Sequence, residues 1–155
     1  IGIDNEKSMI KKAKSNNKNL HKNINYIVDD IHSFKLKPSE LIVAYYTVMF
    51  AKEHQKQLLI DKIYKSLKWG GAFILFEKVR APDARFQDMM TRIYDDFKLS
   101  NGYTPDEIVA KTQSLKGVLN PFSSKANYEM LSRAGFVDIM TIQKYVSFEG
   151  IIAIK

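Results

Sequence analysis

Acidic side chains stand directly after three apolar runs. Asp4 follows IGI, Asp29 and Asp30 follow INYIV, and Glu77 follows AFILF. A fourth apolar run, residues 41–47, closes on Tyr45, Tyr46 and Thr47. If the runs are strands, these side chains lie at carboxyl ends, where open α/β sheets place their ligand crevice. Asp4 has a second reading, as the N-cap of a following helix. The groups able to accept a proton are His32, His54, Glu77 and Tyr103, with Glu77 the best placed, at a strand end. His21 lies in a basic, polar loop and is expected to be inert. There is no cysteine, which excludes a thiolate nucleophile, and no His/Asp/Glu spacing resembles a metal site.

The elements that must position these residues follow from composition and pattern. A chain of 155 residues, 45% hydrophobic and 26% charged, is expected to form one domain or most of one. The absence of cysteine fits a reducing compartment, so a cytoplasmic location is expected. The longest apolar stretch, residues 41–51, is far short of the roughly 20 residues of a membrane helix. The formal charge is +7 and the pI about 9.4, with much of the surplus in KSMIKKAKSNNKNLHK, residues 7–22. Such a run could meet RNA, but it lacks the interleaved aromatics that stack bases, so a solvated face is the favoured reading. The first residue is Ile1, inside what reads as a strand, so a preceding segment is expected.

Residues 58–78, LLIDKIYKSLKWGGAFILFEK, read as an amphipathic helix, a turn at Gly70-Gly71 and a buried strand over 72–76. Leu59, Ile63 and Leu67 recur at helical spacing, with Lys56, Lys62 and Lys65 at polar positions. Upstream, a strand ends at Asp4, a helix covers 5–17, a strand covers 24–28 and another covers 41–47. This alternation predicts a parallel sheet with helices on both faces. Downstream the pattern becomes helical. One helix follows Pro82, with Phe86, Met89, Met90, Ile93, Tyr94 and Phe97 on its apolar face. A second begins at a Thr104 capping box and runs to about Leu119, and a third covers 123–133 and ends at Gly135. Two strands, 136–146 and 150–154, close the chain as an antiparallel hairpin.

Strand-acid, strand-acid, helix-GG-strand and a final antiparallel pair together resemble a class I S-adenosylmethionine-dependent methyltransferase. The similarity is greatest to the carboxy-S-adenosylmethionine synthases, also called tRNA uridine-5-oxyacetic acid methyltransferases. The segments IDNEKSMI, DDI, LLIDKIYKSLKWGGAFILFEK, DDFKLSNGY and RAGF carry it. The resemblance implies a Rossmann-like α/β sheet, mostly parallel with its last strand antiparallel, in a partial domain covering 1–155. It implies a helical lid at 82–134 before the last two strands, and a homodimer formed through that insertion. The family's first strand and glycine-rich loop are missing from this sequence. Their strand would lie between those ending at Asp4 and near Thr47, so two edges would be left unpaired.

The resemblance also implies roles. Asp4 would bind the cofactor ribose with Asn5 on the adenine side, and Asp30 and Ile31 would form the adenine-binding pair. Tyr45 stands where the synthases have a cofactor-binding asparagine. Thr112 aligns with the arginine that grips the extra carboxylate of carboxy-S-adenosylmethionine; threonine offers no charge and no fork, and the adjacent Lys111 points about 100° away on a helix. The expected function is therefore methyl transfer from S-adenosylmethionine to a small molecule, with Glu77 and Tyr103 assigned to catalysis and no metal. The alternatives are a carboxy-S-adenosylmethionine synthase in tRNA wobble-uridine modification, and a non-catalytic methyltransferase-like binding protein.

Overall fold

A computed structural model describes residues 1–16 and 23–155. His21 and the end of the basic run lie outside the described residues. The chain forms two compact units, residues 1–37 and 38–155.

In the first unit, β1 (Gly2–Asp4) leads into α1 (Lys7–Asn16), and β2 (Tyr26–Val28) pairs parallel to β1. The helix starts two residues later than the periodicity predicts because Asp4 and Glu6 organise the entry. Asp4 Oδ1 accepts the Glu6 N–H at 2.8 Å, and Glu6 Oε1 accepts the Ser8 N–H at 3.1 Å. β2 is shorter than the predicted 24–28 strand.

In the second unit, β3 (Ser39–Tyr45) is followed by a 3-10 turn at Val48–Phe50, α2 (Glu53–Ser66) and β4 (Leu67–Lys78). Next come α3 (Ala84–Ser100), α4 (Pro105–Ser114), α5 (Ser124–Ala134), β5 (Asp138–Tyr145) and β6 (Phe148–Ile154). The strand order is β3-β4-β6-β5. β3 pairs parallel to β4, while β6 runs antiparallel to both β4 and β5. The last strand is thus the antiparallel one, as expected. Among the described residues, β1 and β3 each pair on one side only.

The glycine pair behaves differently from the sequence reading. α2 ends at Ser66 with an extended Leu67, and β4 runs through both glycines. Ser39 pairs with Leu67 but Leu41 pairs with Ala72, so residues 68–71 bulge out of the ladder. Gly70 takes φ +72°, and a Cβ on Gly71 would lie 2.8 Å from the Lys68 carbonyl oxygen. The pair therefore shapes a bulge in the strand rather than a turn between helix and strand.

The predicted caps of the later helices are present. Thr104 and Glu107 form a reciprocal capping box, and Gly135 closes α5 in the left-handed region at φ +115°. α4 stops at Ser114, short of Leu119, and turns cover the difference. The core lies where α2 and α5 meet one face of the sheet. Leu59, Ile60 and Ile63 of α2, Met130 and Leu131 of α5, and Phe73, Leu75, Ile151 and Ala153 of the strands are all buried. Burial alternates along β4, so Ile74 and Phe76 are only partly covered and the strand is not enclosed equally on both faces. On α3, Phe86, Met89, Ile93 and Phe97 remain exposed. Among the described residues, no helix is long and apolar enough to cross a membrane.

Candidate functional site

The carboxyl edge of the β1-β2 sheet gathers the acids of the first unit. Asp4 pairs in register with Val28, and the Asp29 N–H donates to the Asp4 carbonyl at 3.2 Å. Asp30 then begins a tight turn: its Oδ1 accepts the His32 N–H at 2.8 Å, and its carbonyl accepts the Phe34 N–H at 2.8 Å. Asp29 Oδ1 accepts the Asp30 N–H at 2.7 Å. Asp4 and Asp30 are therefore oriented by short local bonds at the ends of adjacent parallel strands. Asn5 and Asp30 are exposed, and Asp4 and Ile31 are partly so. Asp4 does serve the helix entry, and that bond also fixes its carboxylate. Carboxylates so held can accept from a diol and an exocyclic amine, which are the donors of an adenosine, so these acceptors fit the cofactor that the resemblance implies.

In the second unit, β3 delivers Tyr45, which is 66% exposed. Tyr46 adopts φ +52°, uncommon for a bulky residue and often found at functional sites. Its N–H donates to the Phe76 carbonyl at 2.9 Å. The left-handed bend ends strand alternation, so Tyr45 and Tyr46 do not face opposite sides. Their ring centroids lie 4.6 Å apart, edge to face, and Tyr45 is 5.3 Å from Phe76. Tyr46 also meets Phe148, which meets Tyr94, so an aromatic cluster covers the ends of β3 and β4. Lys78 and Lys98 both approach the Tyr94 ring, at 5.2 and 4.5 Å, and burial together with the Lys98 charge pulls the Lys78 pKa down.

Glu77 lies inside, 1% exposed. Burial pushes its carboxyl up to about 8, against the opposing pull of Lys56 and of the Met49 and Val48 N–H groups. Its Oε1 is buried without a hydrogen-bond partner. Lys56 is equally buried, contrary to the polar position given it by the sequence. It falls on the same helical stripe as Leu59, Ile60 and Ile63, a spacing that would have revealed it. Its Nζ donates to the Asn120 carbonyl and sits 4.1 Å over the Phe122 ring. Tyr103 occupies the α3–α4 link, 56% exposed, with its N–H on the Lys98 carbonyl at 3.2 Å. His54 is exposed in the first turn of α2, and His32 belongs to the Asp30 turn. The Thr112 hydroxyl donates back to the Ile108 carbonyl at 2.9 Å, within its own helix. No cluster of metal-binding side chains occurs among the described residues.

Comparison with known proteins places this arrangement in a class. A family model described as a methyltransferase domain matches residues 1–135. Solved structures share the fold. Human N-acetylserotonin methyltransferase in complex with SAM superposes with a TM-score of 0.56 at 16% identity, covering 88% of this chain and 36% of that one. An O-methyltransferase family 2 protein from Planctomyces limnophilus, complexed with apigenin, gives 0.66 at 15% identity, covering 97% and 41%. The chain belongs to the methyltransferase-domain family of S-adenosylmethionine-dependent enzymes, within the branch whose curated members are named carboxy-S-adenosyl-L-methionine synthase. The Staphylococcus epidermidis protein of that name is 41% identical over 155 residues, all of this chain and 67% of its own length. The Nautilia profundicola protein is 38% identical over 155 residues and 66% of its length. The chain thus spans about two thirds of the length of these relatives.

Proposed function

We propose that the protein transfers a methyl group from ordinary S-adenosylmethionine to a small-molecule acceptor. The observation that carries the reading is Thr112. Its hydroxyl is turned onto its own helix, where the resemblance calls for an arginine to hold an extra carboxylate.

When bound, the cofactor supplies an electrophilic methyl group on a sulfonium. The chain's share is positioning, since methyl transfer needs the acceptor held in line with that carbon. Asp4 accepts from the ribose hydroxyls, with Asn5 beside the adenine, and Asp30 accepts from the exocyclic amine, with Ile31 next to it. Tyr45 is assigned to the cofactor as well. If the acceptor must lose a proton, Tyr103 is exposed enough to touch it, whereas Glu77 is enclosed.

A second reading, a carboxy-S-adenosylmethionine synthase, draws on the names of relatives that align with the whole chain. Titration calorimetry of the two cofactors separates them. Wild type should prefer S-adenosylmethionine, and Thr112→Arg should bind the carboxylated form at least tenfold better, as a new charge-assisted pair allows. Tight binding of the carboxylated form by wild type would overturn the first reading.

A further inference from the structure

Trp69 is the most exposed large apolar side chain among the described residues, at 89%. It is also the only tryptophan in the chain. An indole left in water is unusual, because tryptophan is highly buried on average. The backbone beneath it is nonetheless well fixed. Trp69 lies in the bulge of β4, between Lys68, whose Nζ pairs with Glu40 at 2.6 Å, and Gly70 at φ +72°. The Gly70 N–H donates to the Lys155 carbonyl at 2.9 Å, and the Lys155 N–H returns a bond to the Gly71 carbonyl at 3.0 Å. Lys155 Nζ in turn donates to the Tyr64 and Leu67 carbonyls, at 2.8 and 2.7 Å. The indole is thus held out on a tied platform, so engaging it costs little backbone ordering.

The surroundings of the ring decide its partner. Lys65 is exposed on the last turn of α2, and Lys68 adjoins Trp69 in the bulge. The Lys68–Glu40 pair is itself exposed, its side chains 53% and 81% accessible, so it is weak and readily exchanged for another anion. A net charge of +7 favours an anionic partner. Leu41 and Val137 are exposed at the same edge of the sheet, which makes a lipid surface the competing partner. A bilayer, however, is met by a broad apolar face, whereas here one ring projects beside lysines. A ring flanked by cations is how proteins hold unpaired nucleotides: the base stacks and the lysines meet phosphates. The basic run at 7–22 lacks such a ring, and the end of α2 supplies one. We propose that the Trp69 bulge is a docking point for single-stranded nucleic acid, with an unpaired base on the indole and its phosphates against Lys65 and Lys68. The docking point is separate from the proposed methyl transfer. The bulge lies near the amino end of β4, while Tyr45 pairs with Phe76 near the carboxyl end. It therefore tethers the protein rather than presenting the methyl acceptor.

The test compares wild type, Trp69→Ala, Trp69→Phe and the double variant Lys65→Ala/Lys68→Ala in the intact protein. Binding of a fluorescently labelled single-stranded RNA decamer, of DNA with the same sequence and of the duplex is read by anisotropy at several salt concentrations. Trp69 emission, taken as the difference between wild type and Trp69→Phe, is followed with unlabelled RNA and with phosphatidylserine–phosphatidylcholine vesicles. The expected results are quenching by the single strands, binding weakened about fivefold or more in Trp69→Ala, and partial retention in Trp69→Phe. Two phosphate contacts give a slope of log affinity against log salt of about −1.4, which the double lysine variant removes. The tighter of the RNA and DNA decamers identifies the source of the nucleotide. Unquenched emission, equal binding by wild type and Trp69→Ala, or preference for the duplex would overturn the proposal. A blue shift with vesicles and no response to single strands would overturn it too, and would assign the bulge to a lipid surface.

Discussion

Asp4→Ala weakens S-adenosylmethionine binding by about 1–3 kcal/mol, roughly 5- to 150-fold in affinity. The expectation follows from position and orientation together. Asp4 closes β1, in register with Val28 of the adjacent parallel strand, and its Oδ1 is fixed by the Glu6 N–H at 2.8 Å. An anchored carboxylate can accept from a diol without first losing rotamer freedom, so removing it costs the full charge-assisted interaction. Alanine also removes the bond at the entry to α1, which lowers stability by about 0.5–2 kcal/mol. Asp4→Asn separates the two effects, because asparagine caps a helix as well as aspartate but carries no charge. Calorimetry should show weaker binding in both variants, with normal melting in Asp4→Asn. Unchanged affinity in both would remove Asp4 from the site.

Glu77→Gln should flatten a pH dependence of stability that wild type shows between about pH 4.5 and 8. The Glu77 carboxyl, ordinarily near 4.5, is raised to about 8 by burial. Between these values the folded protein keeps this proton and the unfolded chain does not, so wild-type stability falls as pH rises through the window and levels off above it. The contribution is fully present below the unfolded value and lost by about pH 8. The whole displacement corresponds to an upper bound of roughly 5 kcal/mol. Lys56, whose own pKa burial pulls down, acts with the opposite sign. Denaturant midpoints at pH 5, 6, 7 and 8 provide the check. Parallel curves for the two proteins would mean that Glu77 is ionised throughout.

The architecture was legible in the sequence wherever a local rule decided it. Apolar runs ending in acids located β1, β2 and β4, the Thr104-Glu107 spacing located α4, and Gly135 located the end of α5. The antiparallel pairing of β5 with β6 followed from the short hairpin link. What escaped was set by tertiary contact. Gly70-Gly71 reads as a turn between helix and strand until β3 is seen to pair on both sides of a bulge. Tyr45 and Tyr46 are only the close of an apolar run in the sequence, and it takes the left-handed backbone at Tyr46 to bring their rings together. Lys56 reads as surface because lysine usually is, and only its place on the apolar stripe of α2 argued otherwise. The acids at the strand ends were found because strand termini are themselves a sequence pattern. The tie from Lys56 to the Asn120 carbonyl was not, because the two residues are far apart in the chain.

Mass spectrometry of the small molecule that co-purifies with the intact protein tests methyl transfer from the ordinary cofactor. S-adenosylmethionine or its demethylated product is the expected ligand. Recovery of carboxy-S-adenosylmethionine would overturn the proposal, making the protein a synthase in spite of Thr112 and requiring another cation to hold the added carboxylate.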